Sequence, residues 1–123
     1  TWLAAAILFV VIIWLSTVPK ALTGAEPQAS SSAQVYVASA HFPAVRDTVL
    51  GRCSMCHAQE PSYEGIYHAP KGVMLDTDAH IAEHAREIYL QAGRSHAMPP
   101  ANVTQISDKE RALLVAWFEG AGK

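Results

Sequence analysis

The residues best suited to chemistry stand side by side. Cys53 and Cys56 are the only cysteines of this 123-residue chain, and His57 follows the second directly, in the pentapeptide CSMCH. Four chemistries use such a spacing. A disulfide closing so short a loop gains little from chain entropy and is chiefly a redox device. A thioredoxin-like dithiol belongs beside a βαβ pattern, and the chain shows no convincing strand. A structural zinc site takes four ligands, and there is no second cysteine pair to complete one. The remaining chemistry is covalent haem, for which C-x-x-C-H is the attachment signature. Two thiols so spaced can each form a thioether with one vinyl group of the same macrocycle, and His57 is then held under the iron as its proximal ligand. The expectation is one haem c, bound through Cys53 and Cys56.

Haem iron takes a sixth ligand, and HAMPPAN, residues 96–102, supplies Met98. Met paired with His raises the reduction potential, and Pro99 and Pro100 stiffen the loop that presents a weak thioether. His96 is the competing ligand and would give a bis-His iron of lower potential. Met74 reads as an apolar contact, and Met55, inside the attachment loop, cannot reach the opposite face. His41, His68, His80 and His84 read as surface residues, although His80 and His84 are spaced i,i+4 and could hold a metal as a pair. A ligating histidine commonly donates its second ring N–H to a carbonyl, and Pro70 is the expected acceptor. With His57 and Met98 both bound, the iron has no open site and shuttles electrons; no catalytic residue is expected. Without Met98 the iron would be open, as in a peroxidase or gas sensor.

Three helices must position these groups. The first starts in HFPAVRDTVLGRC and runs into the CSMCH stretch, with Pro43 suited to its first position. The second is DTDAHIAEHAREIYLQAG, capped by Asp76 or Thr77, striped by Ile81, Ala85, Ile88 and Ala92 and stopped by Gly93. The third is SDKERALLVAWFEGAG, where Ser107 and Glu110 make a capping box and Trp117 and Phe118 read as core. Residues 58–75 between the first two form a long aperiodic loop, the kind that needs something to wrap around. The core is thin for its length, and a large buried cofactor would supply the missing apolar volume.

Before these helices, residues 2–18 carry no charge. A transmembrane helix over 1–19 is the expected reading; a signal peptide cleaved near TGA at 23–25 and a buried soluble helix are the alternatives. Residues 20–40, rich in Ala, Ser, Gly and Gln, read as a flexible linker, and 41–123 as the folded domain. Formal net charge is −2; with no basic run, nucleic acid is not an expected partner.

The order of helix, CxxCH, loop, helix, Met-Pro loop and C-terminal helix resembles a class I c-type cytochrome domain over about residues 41–121. CSMCHA, APKGVMLDT and AMPPANVTQISDKERALLVAWFEGAG together look like the C-terminal end of bacterial membrane-bound urate oxidase (urate hydroxylase). This resemblance implies an all-α fold, a small cytochrome c domain around one covalent haem and preceded by one transmembrane helix. Cys53 and Cys56 would bind the haem vinyls, and His57 and Met98 would be the axial ligands. The electron donor would be an upstream membrane redox domain, and the acceptor a respiratory cytochrome or terminal oxidase. The expected place is the bacterial inner membrane, with the cytochrome domain in the periplasm. A membrane-anchored carrier for an unrelated dehydrogenase or oxidase is the alternative.

Overall fold

The structure is a computed structural model and describes residues 1–22 and 27–121, the side chains of residues 17–22 excepted. Among these residues the α-helices are α1 Trp2–Leu22, α2 Gln34–Val37, α3 Phe42–Arg52, α4 Asp78–Glu83, α5 Ala85–Ile88 and α6 Asp108–Gly120, and no strand is present.

Local signals decide the helix starts where they are strongest. The Ser107 hydroxyl accepts the Glu110 N–H while Glu110 Oε2 accepts the Ser107 N–H at 2.6 Å, so α6 opens on the expected capping box. Thr77, not Asp76, caps α4, its hydroxyl taking the His80 N–H at 3.2 Å. Pro43 lies one residue inside α3, which starts at Phe42.

The second expected helix is not continuous. It breaks at His84 (φ −100, ψ 20), resumes as α5 and widens into a π-helical turn over Tyr89–Arg94. The π turn packs closely on α6, and a Cβ added at Gly93 would stand 3.0 Å from Val115 Cγ2. Gly93 is therefore a point of close approach and not a helix stop.

The core is apolar and shared by three elements. Val45 and Val49 of α3 meet Ile81, Ala85, Ile88 and Ala92 of the broken second helix and Leu114 and Trp117 of α6. Burying each large aliphatic side chain contributes roughly 1.5–3 kcal/mol. The helical stripe read from spacing is thus the buried face, kept in register despite the break.

Two expectations need correction. No helix among the described residues is long and apolar enough to cross a membrane. The expected transmembrane helix over residues 1–19 is corrected on that finding. Nor is α1 a buried helix, since its described side chains are all exposed. The TGA stretch at 23–25 lies outside the described residues. The second correction concerns the linker. From Ser30 the chain belongs to the domain: the Ser30 N–H donates to Glu83, and Ala33 is buried. Tyr36 O accepts the indole N–H of fully buried Trp117 at 2.9 Å. The Tyr36 ring stacks on Phe118 at 5.5 Å, and Tyr89 stacks on Phe118 at 4.4 Å.

Candidate functional site

At its C-terminal end α3 runs into a tight turn. The N–H groups of Cys53 and Ser54 both reach Val49 O, and those of Cys56 and His57 both reach Cys53 O at 3.1 and 2.9 Å. A helical turn brings residues i, i+3 and i+4 to one side, which is the relation of Cys53, Cys56 and His57. All three line a single cleft of about 330 Å³, a volume in the usual range of ligand sites, and Met98 lines it as well. The four residues read from the sequence are thus brought together from two segments far apart in the chain.

The loop after His57 folds back on it. His57 O accepts the Leu75 N–H at 2.6 Å, and His57 Nδ1 lies 2.8 Å from Val73 O. A carbonyl can only accept, so Nδ1 carries the proton, and in the neutral ring Nε2 then keeps its lone pair. The expected acceptor, Pro70, is displaced by three residues: Pro70 O instead receives the Val73 N–H at 3.2 Å. That turn contains Lys71 at φ 56 and Gly72 at φ 70, and the reversal aims the Val73 carbonyl back at the imidazole.

Met98 is exposed and follows the π turn, its N–H bonded to Gln91 O at 2.9 Å. The Met98–Pro99 peptide is cis. His96, the competing ligand, lines a separate shallow groove with Gly93 and Val115 and not the cleft. The reverse holds for His84, which spacing assigned to the surface. The break between α4 and α5 places it on the cleft wall. His80 instead pairs with Asp76 at 2.7 Å, and among the described residues no group of three His, Cys, Asp or Glu is arranged to hold a metal.

The thiols are free and electrostatically quiet. Burial pushes Cys53 up to about 11, helped by Cys56 and Glu110 and opposed by Arg111. Burial also raises Cys56. Reactive redox cysteines have lowered values, so neither thiol is a thiolate poised for exchange at neutral pH.

The residues present fit a covalent haem. The donor set is two neutral thiols, one imidazole with an uncommitted Nε2 and one thioether. The walls around it are mainly apolar, with Val73, Leu75, Ile88 and Pro99 among them. Thr104 Oγ1 is buried without a hydrogen-bond partner on the same wall, an arrangement that costs about 1–3 kcal/mol.

No family model, no curated protein and no solved structure matches this chain.

Proposed function

We propose that this chain is a monohaem c-type cytochrome domain that transfers electrons. The observation that supports the reading most is the meeting of Cys53, Cys56, His57 and Met98 in one apolar cleft. In this reading Cys53 and Cys56 would hold haem c through thioethers, and His57 and Met98 would supply ligands to its iron. The bound haem supplies a one-electron couple. The chain's own residues do the rest. Val73 O fixes the His57 tautomer, as carbonyl partners of ligating histidines do. The apolar walls exclude water, and Pro99 and Pro100 limit the freedom of the Met98 loop. A thioether together with an imidazole would set a high potential and would leave the iron no site for substrate.

The resemblance of the CSMCHA, APKGVMLDT and AMPPAN stretches to urate oxidase supports a finer reading. An upstream membrane redox domain would take electrons from urate in purine degradation. This domain would be their outlet, on the periplasmic side, towards a respiratory cytochrome or terminal oxidase.

Two measurements test these levels separately. The full chain, produced in a host that attaches haem c, is denatured and its absorption recorded in alkaline pyridine. Haem that stays on the chain, and is lost in Cys53→Ala with Cys56→Ala, is the expected result; a haem-free chain with two titratable thiols would end the proposal. The native full-length product is then given urate with cyanide present. Prompt haem reduction is expected, and reduction by dithionite alone would assign the domain to another donor.

A further inference from the structure

We propose that Arg111 is a positioning residue that latches the Met98 loop onto α6 and so keeps the thioether on the iron, an inference that rests on the haem reading above. Arg111 is 5% exposed, which is rare for an arginine unless it is paired. Among the described residues no carboxylate pairs with it; its partners are the polar atoms of the loop. Nη1 donates to Ala92 O at 2.5 Å and to Met98 O at 2.9 Å, and Nη2 reaches Asn102 Oδ1 at 3.4 Å.

These acceptors belong to three segments: the π turn before Met98, the Met98 peptide itself and the turn after Pro100. Asn102 extends the tie, since its side chain also accepts the Ile106 N–H at 3.0 Å and donates to Ile106 O at 3.2 Å. The guanidinium therefore spans the loop from Ala92 to Asn102, and Asn102 carries the tie on to Ile106. The Met98 peptide is gripped on both sides, its N–H by Gln91 O and its C=O by Arg111. A planar guanidinium with several donors can hold several acceptors at once in fixed directions, which an ammonium cannot. Bonds from a charged donor in a low-dielectric interior are the strong kind.

The position also carries a field. Arg111 Nη1 stands 2.9 Å from the carbonyl oxygen of Met98 itself. A fixed cation this close disfavours the more positive, oxidised state of the iron. Arg111 thus acts on the domain in two separable ways: the guanidinium holds the ligand, and the charge raises the potential.

The experiment uses the full chain with its haem attached, as wild type, Arg111→Gln and Arg111→Lys. Three properties are read. These are the weak far-red band of a thioether-ligated ferric haem, the rate of carbon monoxide binding to the reduced protein, and the reduction potential. Arg111→Gln is expected to lose most of the band and to bind carbon monoxide at least about tenfold faster, because hydrogen bonds from a charged donor are lost. Its potential should fall. Arg111→Lys keeps the charge without the fork, so its potential should stay nearer wild type while its carbon monoxide rate still rises. Wild-type band and rate in both variants would overturn the latch. Should Arg111→Gln not accumulate, the rate in Arg111→Lys decides alone. A wild type that carries thioether-bound haem without the far-red band would also overturn it, with the haem reading intact. A wild type without haem would instead remove the reading on which the latch rests.

Discussion

His57 reaches its carbonyl partner only because residues 58–75 turn back at Lys71 and Gly72. The type of partner was legible from the motif, but its identity was not, since an aperiodic loop offers no register by which to choose Val73 over Pro70. Arg111 was hidden for another reason. A charged residue in an amphipathic helix reads as solvated, and only the packing of the π turn on α6 buries it. Its neighbour Glu110 was legible through the capping box and carries a second role, receiving Arg52 Nε at 3.0 Å next to Cys53. The Ser107 N–H bond holds the Glu110 carboxyl below its ordinary value; burial works against this, and the Ser107 hydroxyl and Arg52 add to it. A carboxyl lowered by folding contributes stability above its unfolded value of about 4.3, and that contribution is lost as pH falls through the folded value. Thermal unfolding followed from about pH 7 down to about pH 3 should therefore show a steeper loss in wild type than in Glu110→Gln. Parallel curves would mean that this carboxylate does not couple folding to protons.

At the scale of elements, what the sequence shows well is local and periodic. The capping box of α6, the Thr77 cap and the buried stripe through Ile81, Ala85, Ile88 and Ala92 all have their causes within one or two turns. The break at His84 and the π turn follow from no cap or period in the sequence, and the close approach of the π turn involves Val115 on another helix. The same holds for His84 itself, whose place on the cleft wall depends on the break. Gly93 is the sensitive point of that packing. Gly93→Ala should cost about 1–3 kcal/mol, the usual range for forcing a methyl into a filled contact, as read by urea unfolding. Val115→Ala in the same chain should recover part of the loss, because the clash is with Val115 Cγ2. An unaltered midpoint in Gly93→Ala would show that the two elements separate at little cost.

For the whole molecule, the boundary of the folded unit is the main lesson. A four-residue helix has too few residues to display a period, so α2 was invisible within a stretch rich in Ala and Ser. Its worth lies in what it completes: Tyr36 satisfies the indole of Trp117 and covers Phe118. A chain starting at His41 leaves that indole without its acceptor, at about 1–3 kcal/mol, and loses an aromatic pair worth ~0.5–1.5 kcal/mol. It should be less stable than one starting at Ser30 by about 2–4 kcal/mol in urea unfolding. Equal stabilities would return α2 to the status of a linker. The apolar run of α1 misled because lack of charge alone was read as a span, whereas no helix among the described residues is both long and apolar enough to cross a membrane.

One feature of the Met98 loop bears on how the domain moves. Within residues 96–105, His96, Ala101, Asn102 and Gln105 all have φ between 49 and 58. A left-handed conformation costs an ordinary L-residue roughly 1–2 kcal/mol, so this is backbone held against its own preference. Segments of that kind open at the lowest free energy and take up deuterium first. Amide exchange should reach the Met98 N–H, bonded to Gln91 O, well before the amides in the middle of α6, and sooner still once Arg111 is replaced. The segment that carries Met98 is then also the first to open.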